Sequence, residues 1–95
     1  MLFMVEMDLN VPLDYDPAHF EELKATEKAR AEQLQQHGKW RHLWRVAGQY
    51  ANVSIFDVES AGELHDIMTS LPLYKFMTVK VTALCQHPSA IAKDN

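Results

Sequence analysis

Hydrophobic and polar side chains alternate along two segments of the chain. Over residues 2–9 the apolar positions of one face are Phe3, Val5, Met7 and Leu9. Over residues 76–84 the apolar positions alternate with Thr78, Lys80 and Thr82. A period of two is typical of a strand with one buried face. The pattern therefore predicts a strand near each end of the chain.

Two other segments follow the helical period. Asp16-Pro17 is a good helix start, so residues 17–37 are predicted to form a long helix that ends at Gly38. Ser60 starts a second helix, with Glu63 three residues on as in a capping box. Its apolar stripe ends before Pro72, which stops the helix, and comprises Leu64, Ile67, Met68 and Leu71.

The segment between the two helices predicts a hairpin. Residues 39–48 and 50–58 are rich in aromatic and β-branched side chains and flank Gly48-Gln49. With a two-residue turn, Arg45 lies opposite Asn52. Trp40, His42 and Trp44 then share one face. Six side chains share the other, namely Tyr50, Asn52, Ser54, Arg41, Leu43 and Arg45. A register slip of one residue would exchange the two faces.

These elements run in the order βαββαβ, the split βαβ or ferredoxin-like arrangement. We expect an α+β fold in which two helices cover one face of a four-stranded antiparallel sheet. Residues 1–95 form a single domain, and residues 85–95, which have no periodicity, form a C-terminal arm. Because an open sheet face of this kind is often closed by a second copy, we expect a homo-oligomer.

Composition excludes several classes of partner. The 95 residues carry a formal net charge of −4, which argues against nucleic acid and anionic membrane, since both reward clustered positive charge. A single cysteine, five methionines and no secretory signal indicate a reducing cytoplasm. Cys85 and His87 lack further ligands at metal-binding spacing, so no metal is expected. The chain also has no phosphate-binding loop or nucleotide fingerprint, so no cofactor is expected.

Glu27 is the strongest anomaly in the sequence. At about 100° per residue it lies at the centre of the apolar stripe of the first predicted helix, seven residues from both Phe20 and Leu34. A carboxylate on a buried face is costly unless it is paired or protonated. Desolvation would raise its pKa and make it a base suited to neutral pH. The alternative is an ordinary ion pair, for instance with Lys24 one turn earlier.

The hairpin supplies polar groups that would complement such a base. Tyr50 and Asn52 can donate hydrogen bonds to a developing oxyanion, and Arg41 or Arg45 could hold a substrate carboxylate. Cross-strand polar pairing is the alternative reading for these residues. His42 lies between aromatic residues, where a packed histidine is more common than a base. Together the residues suit cofactor-free proton transfer beside a carbonyl, with a binding or scaffold module as the competing interpretation.

The chain resembles the muconolactone Δ-isomerase family essentially from end to end. The resemblance rests on the opening MLF strand, on KWRHLWR at 39–45 followed by Ala47-Gly48, on YAN at 50–52 and on SIFDV at 54–58. It extends to LHD at 64–66, LPL at 71–73 and CQHPS at 85–89. Tryptophan and arginine residues at this spacing before YAN are specific, because small ferredoxin-like proteins in general do not share them.

The resemblance implies an enzyme of catechol degradation that converts muconolactone to 3-oxoadipate enol-lactone without cofactor or metal. It implies a homodecamer with active sites near subunit contacts, in which the C-terminal arm packs on a neighbour. Glu27 fits the base, Tyr50 and Asn52 the donors to the lactone oxygen, and Arg41 or Arg45 the anchor for the acetate. His42 is a lesser candidate for polarising or orienting the substrate.

Two alternatives and one geometric question accompany this interpretation. A chloromuconolactone dehalogenase of the same family would begin with the same proton abstraction and then lose chloride. A non-catalytic ferredoxin-like oligomerisation or ligand-binding module would leave Glu27 as an ion-paired residue.

Glu27 is expected on the helix side of the sheet, whereas the hairpin parity places Tyr50 and Asn52 on the open side. They would meet only through a bulge or across two subunits.

Overall fold

The computed structural model describes residues 1–92 and contains the six predicted elements in the predicted order. They are β1 (Leu2–Leu9), α1 (Pro17–Gln36), β2 (Trp40–Arg45), β3 (Ala51–Asp57), α2 (Ala61–Ser70) and β4 (Met77–Leu84). A short 3-10 helix, Tyr74–Phe76, precedes β4, and the sequence pattern did not predict it. Of the predicted arm at 85–95, residues 93–95 lie outside the described residues.

The four strands form one antiparallel sheet in the order β2-β3-β1-β4. This arrangement confirms the predicted ferredoxin-like fold. The central strand β1 pairs with both β3 and β4, so Phe3 lies between Phe56 and Ala83. Phe3, Val5 and Met7 point toward the helices and are buried in the main hydrophobic core. The alternation in β1 therefore identified the buried face correctly.

Both predicted helix starts have the expected capping contacts. The Asp16 carboxylate accepts a hydrogen bond from the Ala18 amide at 3.1 Å, and proline follows at the first helical position. The Ser60 hydroxyl oxygen accepts from the Glu63 amide at 3.1 Å. Such contacts satisfy amide groups that have no partner inside the helix. After α1, Gly38 adopts a φ of 78° that glycine tolerates best, which ends the helix.

The hairpin has the predicted register next to its turn, but the turn is longer than predicted. Arg45 lies opposite Asn52. The Val46 amide donates to the Ala51 carbonyl at 2.9 Å, so the loop comprises residues 47–50 rather than Gly48-Gln49 alone. Gly48 in this loop has a φ of 80°. Because the loop is symmetric about the predicted turn, the strand pairing is unchanged.

A β-bulge at Arg41 contradicts one predicted set of neighbours. Trp40 pairs with Phe56, whereas His42 pairs with Ile55, so β2 has one extra residue at this point. The extra residue reverses the alternation of β2. Trp40 is consequently 2% exposed in the core, while His42 and Trp44 lie on the open face. The prediction that these three side chains share a face was wrong.

The side of the sheet predicted for Asn52 was also wrong. Asn52 lies opposite Met7 in β1, and Ser54 lies opposite Val5. Since Met7 and Val5 face the helices, Asn52 and Ser54 do as well. Parity shows which side chains share a face, but it does not show which face the helices cover.

No helix within residues 1–92 is both long enough and apolar enough to cross a membrane.

Candidate active site

An open cavity of about 650 Å³ lies between α1 and the hairpin end of the sheet. Cavities of about 300–1,000 Å³ are typical of small-molecule sites. Four of the six predicted site residues line it, namely Glu27, Arg45, Tyr50 and Asn52. Glu27 comes from α1 and the other three from the hairpin, so one chain brings them together. The bulge or second subunit that the sequence analysis required for this meeting is unnecessary, because Asn52 already faces the helix.

Glu27 is half-buried on the apolar stripe of α1, as predicted. Its Oε1 accepts a hydrogen bond from the Leu73 amide at 3.0 Å. Burial raises the pKa of the Glu27 carboxyl above its ordinary value of 4.5, and the Leu73 amide partly opposes this shift by stabilising the carboxylate. The arrangement favours a carboxyl group that takes up a proton more readily than a carboxyl in water.

The alternative in which Glu27 is an ordinary ion-paired residue finds no support in residues 1–92. Lys24, the expected partner, instead lies 2.9 Å from the Glu21 carboxylate. It also lies above the Phe20 ring, 5.1 Å from its centre. None of the ion pairs within the described part of the chain includes Glu27. The carboxylate is therefore held by a neutral backbone donor and faces the cavity.

Asn52 presents a hydrogen-bond donor to the cavity. Its Oδ1 accepts from the Ser54 hydroxyl at 2.8 Å, and its Nδ2 lies 3.6 Å from the Met7 sulfur. The carbonyl half of the amide is thus occupied inside the protein, whereas the NH₂ half has only a weak sulfur acceptor. A ligand oxygen in the cavity would be a stronger acceptor for this group.

Tyr50 and Arg45 lie at the rim of the cavity. The Tyr50 side chain is 81% exposed, and the loop that carries it is attached to β1 because the Leu9 amide donates to the Tyr50 carbonyl at 2.9 Å. Arg45, at the end of β2, makes no ion pair within residues 1–92. Its guanidinium group remains available for an anionic ligand.

Two predicted site residues lie elsewhere. Arg41 is at the bulge, and its Nη1 is 3.8 Å from Asp57 Oδ2. His42 is on the open face, where its ring stacks on Trp44 with centres 4.9 Å apart. Neither residue lines the cavity that contains Glu27. The structure therefore does not bring Arg41 or His42 together with the other four residues. Arg41 occupies the bulge, and His42 lies on the open face because it alternates with Leu43 and Arg45, which face the helices.

Lys24, Lys28 and the Leu73 amide were not among the predicted site residues. Lys24 and Lys28 line the cavity from α1; their positions three residues before and one residue after Glu27 could have identified them on a helical projection. The Leu73 amide could not have been found in this way, because a backbone donor 46 residues from Glu27 leaves no sequence signal.

In residues 1–92 no group of three His, Cys, Asp or Glu side chains is placed to hold a metal ion.

Comparison with known proteins gives the same result as the residue pattern. The family model described as muconolactone delta-isomerase matches residues 1–90. The chain belongs to the muconolactone Δ-isomerase family. This membership confirms the family that the sequence motifs indicated, and it identifies the protein as an isomerase with a small-molecule substrate.

Relatives of this family are similar over their full lengths. Muconolactone Delta-isomerase 2 of Acinetobacter lwoffii is 55% identical over 95 residues, which are 100% of this chain and 99% of that protein. Muconolactone Delta-isomerase of Pseudomonas aeruginosa is 52% identical with the same coverage. A crystal structure of muconolactone isomerase at 3.3 Å resolution superposes with a TM-score of 0.95 and 53% identity, covering 100% of this chain and 99% of that one.

Proposed function

We propose that this protein converts muconolactone to 3-oxoadipate enol-lactone in catechol degradation, by a 1,3 proton shift that needs no cofactor. The observation that carries the proposal is a half-buried carboxylate without an ion-pair partner in residues 1–92, in the same cavity as a fixed amide donor. Membership of the family supplies the class of reaction.

Glu27 acts as the base and then as the acid. Its carboxylate removes the proton from the ring carbon that bears the acetate arm, and the electron pair spreads through the double bond to the lactone carbonyl oxygen as a dienolate. The resulting carboxylic acid returns the proton to the carbon next to the carbonyl. One group can perform both steps if its pKa lies closer to neutrality than that of a solvated carboxyl, and burial shifts the Glu27 pKa in this direction.

The dienolate oxygen is stabilised by donors from the hairpin. Asn52 contributes its Nδ2 group, which is held by contacts on the inner side of the sheet. The Tyr50 hydroxyl contributes a second donor from the rim. Donors that are fixed before the reaction stabilise charge that develops in the transition state without reorganisation. This role is consistent with Asn52 and Tyr50 lining the same cavity as Glu27.

Arg45 holds the acetate arm. Its guanidinium group can bind a carboxylate through two parallel hydrogen bonds, which fixes the orientation of the ring as well as its position. Arg45 is preferred over Arg41 because Arg45 lines the cavity, whereas Arg41 is engaged with Asp57. Lys24 and Lys28 line the same cavity from α1.

Subunit contacts complete the site. The cavity is open at the rim where Tyr50 lies, and proton transfer to carbon is more efficient when water is excluded. In the proposed assembly, a cytoplasmic homodecamer, a neighbouring subunit covers this rim and the C-terminal arm at 85–95 packs on another chain. A single domain of 95 residues then provides the catalytic groups while the assembly provides enclosure.

Replacement of Glu27 by Gln tests the proposal directly. Glu27→Gln keeps the shape and the Leu73 contact but removes the base, so kcat for muconolactone should fall by at least about 100-fold. Formation of the enol-lactone would be followed by absorbance or NMR without added cofactor. Glu22→Gln is the matched control, because it removes one carboxylate from an exposed position of the same helix, and it should retain wild-type turnover.

Two outcomes would contradict the proposal. Wild-type turnover in Glu27→Gln would show that Glu27 is not the base. A wild-type protein without activity on muconolactone would favour the non-catalytic interpretation. The dehalogenase alternative is separated by comparing chloride release from 5-chloromuconolactone with isomerisation of muconolactone. An isomerase should process the unsubstituted lactone with the higher kcat/KM.

A further inference from the structure

We propose that Ser54 is a positioning residue that orients the Asn52 amide so that its Nδ2 group faces the substrate oxygen. The inference rests on the proposed function, because it assumes that Asn52 donates to the lactone oxygen. Ser54 does not line the cavity, so it would act through Asn52 rather than on the substrate.

Ser54 is the buried polar residue of the described core. It is 0% exposed and lies opposite Val5, among residues that are otherwise apolar. A buried hydroxyl without a partner is costly, and the Ser54 hydroxyl avoids this by donating to Asn52 Oδ1 at 2.8 Å. The two residues are two apart on β3, so both point to the helix side and can form this contact without distortion.

Met7 makes the opposite orientation of the amide less favourable. Its sulfur is 3.6 Å from Asn52 Nδ2 and can accept a hydrogen bond, but a thioether cannot donate one. If the amide were rotated by 180°, Oδ1 would face the sulfur and that contact would be lost. The Ser54 oxygen could accept from Nδ2 of a rotated amide, but the hydroxyl hydrogen would then lose the acceptor it has within residues 1–92. Ser54 and Met7 therefore favour the same orientation, in which the second hydrogen of Nδ2 remains available to the cavity.

Removal of the Ser54 hydroxyl should reduce catalysis through Asn52. In Ser54→Ala we expect kcat to fall about tenfold, the effect of one neutral hydrogen bond, with KM within about twofold of wild type. Asn52→Ala should lower kcat about 100-fold, as observed when an oxyanion donor is removed. The double variant should be no slower than Asn52→Ala alone, because Ser54 has nothing left to orient.

Two variants separate positioning from packing. Ser54→Cys keeps the side-chain size and a weak donor, so its kcat should lie between those of wild type and Ser54→Ala. Val5→Ala truncates the cross-strand neighbour of Ser54 without touching Asn52, so it should lower the melting temperature while kcat changes less than twofold. If Ser54→Ala does not fold, kcat of Ser54→Cys is measured with and without Asn52→Ala. The loss caused by Ser54→Cys should then be absent when Asn52 is already alanine.

Three results would overturn the inference, and one of them would also remove one residue role from the proposed function. An equal loss from Ser54→Ala in the presence and absence of Asn52 would mean that Ser54 acts through packing. Wild-type kcat in Ser54→Ala, together with a large loss in Asn52→Ala, would show that Ser54 does not position Asn52, while the donor role of Asn52 would stand. Wild-type kcat in Asn52→Ala would remove the donor role of Asn52 and with it the basis of the inference.

Discussion

The Glu27 carboxyl group experiences two opposing influences on its pKa. Burial raises the pKa, and the hydrogen bond from the Leu73 amide lowers it, with burial the larger. The folded chain therefore binds a proton at Glu27 more tightly than the unfolded chain does. It follows that the stability contributed by this group is present below the ordinary pKa of 4.5 and is lost as the pH rises through the raised value.

The raised pKa predicts that the Glu27 carboxylate, the proposed base, destabilises the fold at neutral pH. Glu27→Gln should have a higher melting temperature than the wild type at pH 7, because Gln carries no charge to desolvate. The difference should shrink as the pH is lowered below 4.5, where the wild-type group is also neutral. Melting curves between pH 4 and about 8 at one protomer concentration would measure it. A wild type that is more stable than Glu27→Gln at pH 7 would contradict the prediction.

At the scale of the element, the bulge in β2 separates two arginines that the sequence treats alike. Arg41 and Arg45 are four residues apart and would share a face in a regular strand. The extra residue at Arg41 leaves Arg45 on the helix side, opposite Asn52, and Arg41 beside Asp57. A β-bulge often redirects a side chain next to a functional site, and here it distinguishes a cavity residue from one that contributes to local packing.

The two arginines should therefore differ in their effect on substrate binding. Arg45→Met should raise KM for muconolactone by at least about 10- to 100-fold, because even one charge-assisted hydrogen bond has an effect of this size. Arg41→Met, the matched control, should leave KM within about twofold and lower stability by at most about 1 kcal/mol, since the ion pair with Asp57 is partly exposed. Steady-state kinetics on both variants would decide; a larger KM effect at Arg41 would reverse the assignment.

At the scale of the whole molecule, the isolated chain leaves apolar surface in contact with water. Trp44, on the open face of the sheet, is 55% exposed, and Val81 and Leu84 of β4 are 48% and 39% exposed. A chain of 95 residues has a small core relative to its surface. Both features are consistent with the proposed assembly, in which neighbouring subunits supply the missing cover.

The assembly should be measurable by sedimentation. A homodecamer of the 10.9 kDa chain would have a mass of roughly 110 kDa. Deletion of residues 85–95 should shift the protein to smaller species if the arm packs on a neighbour. Sedimentation velocity over a range of concentrations would compare the two proteins. A full-length protein that sediments as a single chain at every concentration would contradict the proposed oligomer.

The sequence by itself determined the element order, the family and the place of Glu27 on the apolar face of α1. Alternation in β1, the capping residues Asp16 and Ser60 and the apolar stripe around Glu27 are local features, so a linear pattern reveals them. Only the tertiary structure decided that Asn52 lines the same cavity as Glu27, that Trp40 lies in the core and that the Leu73 amide binds the carboxylate. These depend on which sheet face the helices cover, on one extra residue in β2 and on a backbone donor distant in sequence, and no residue type records such relations.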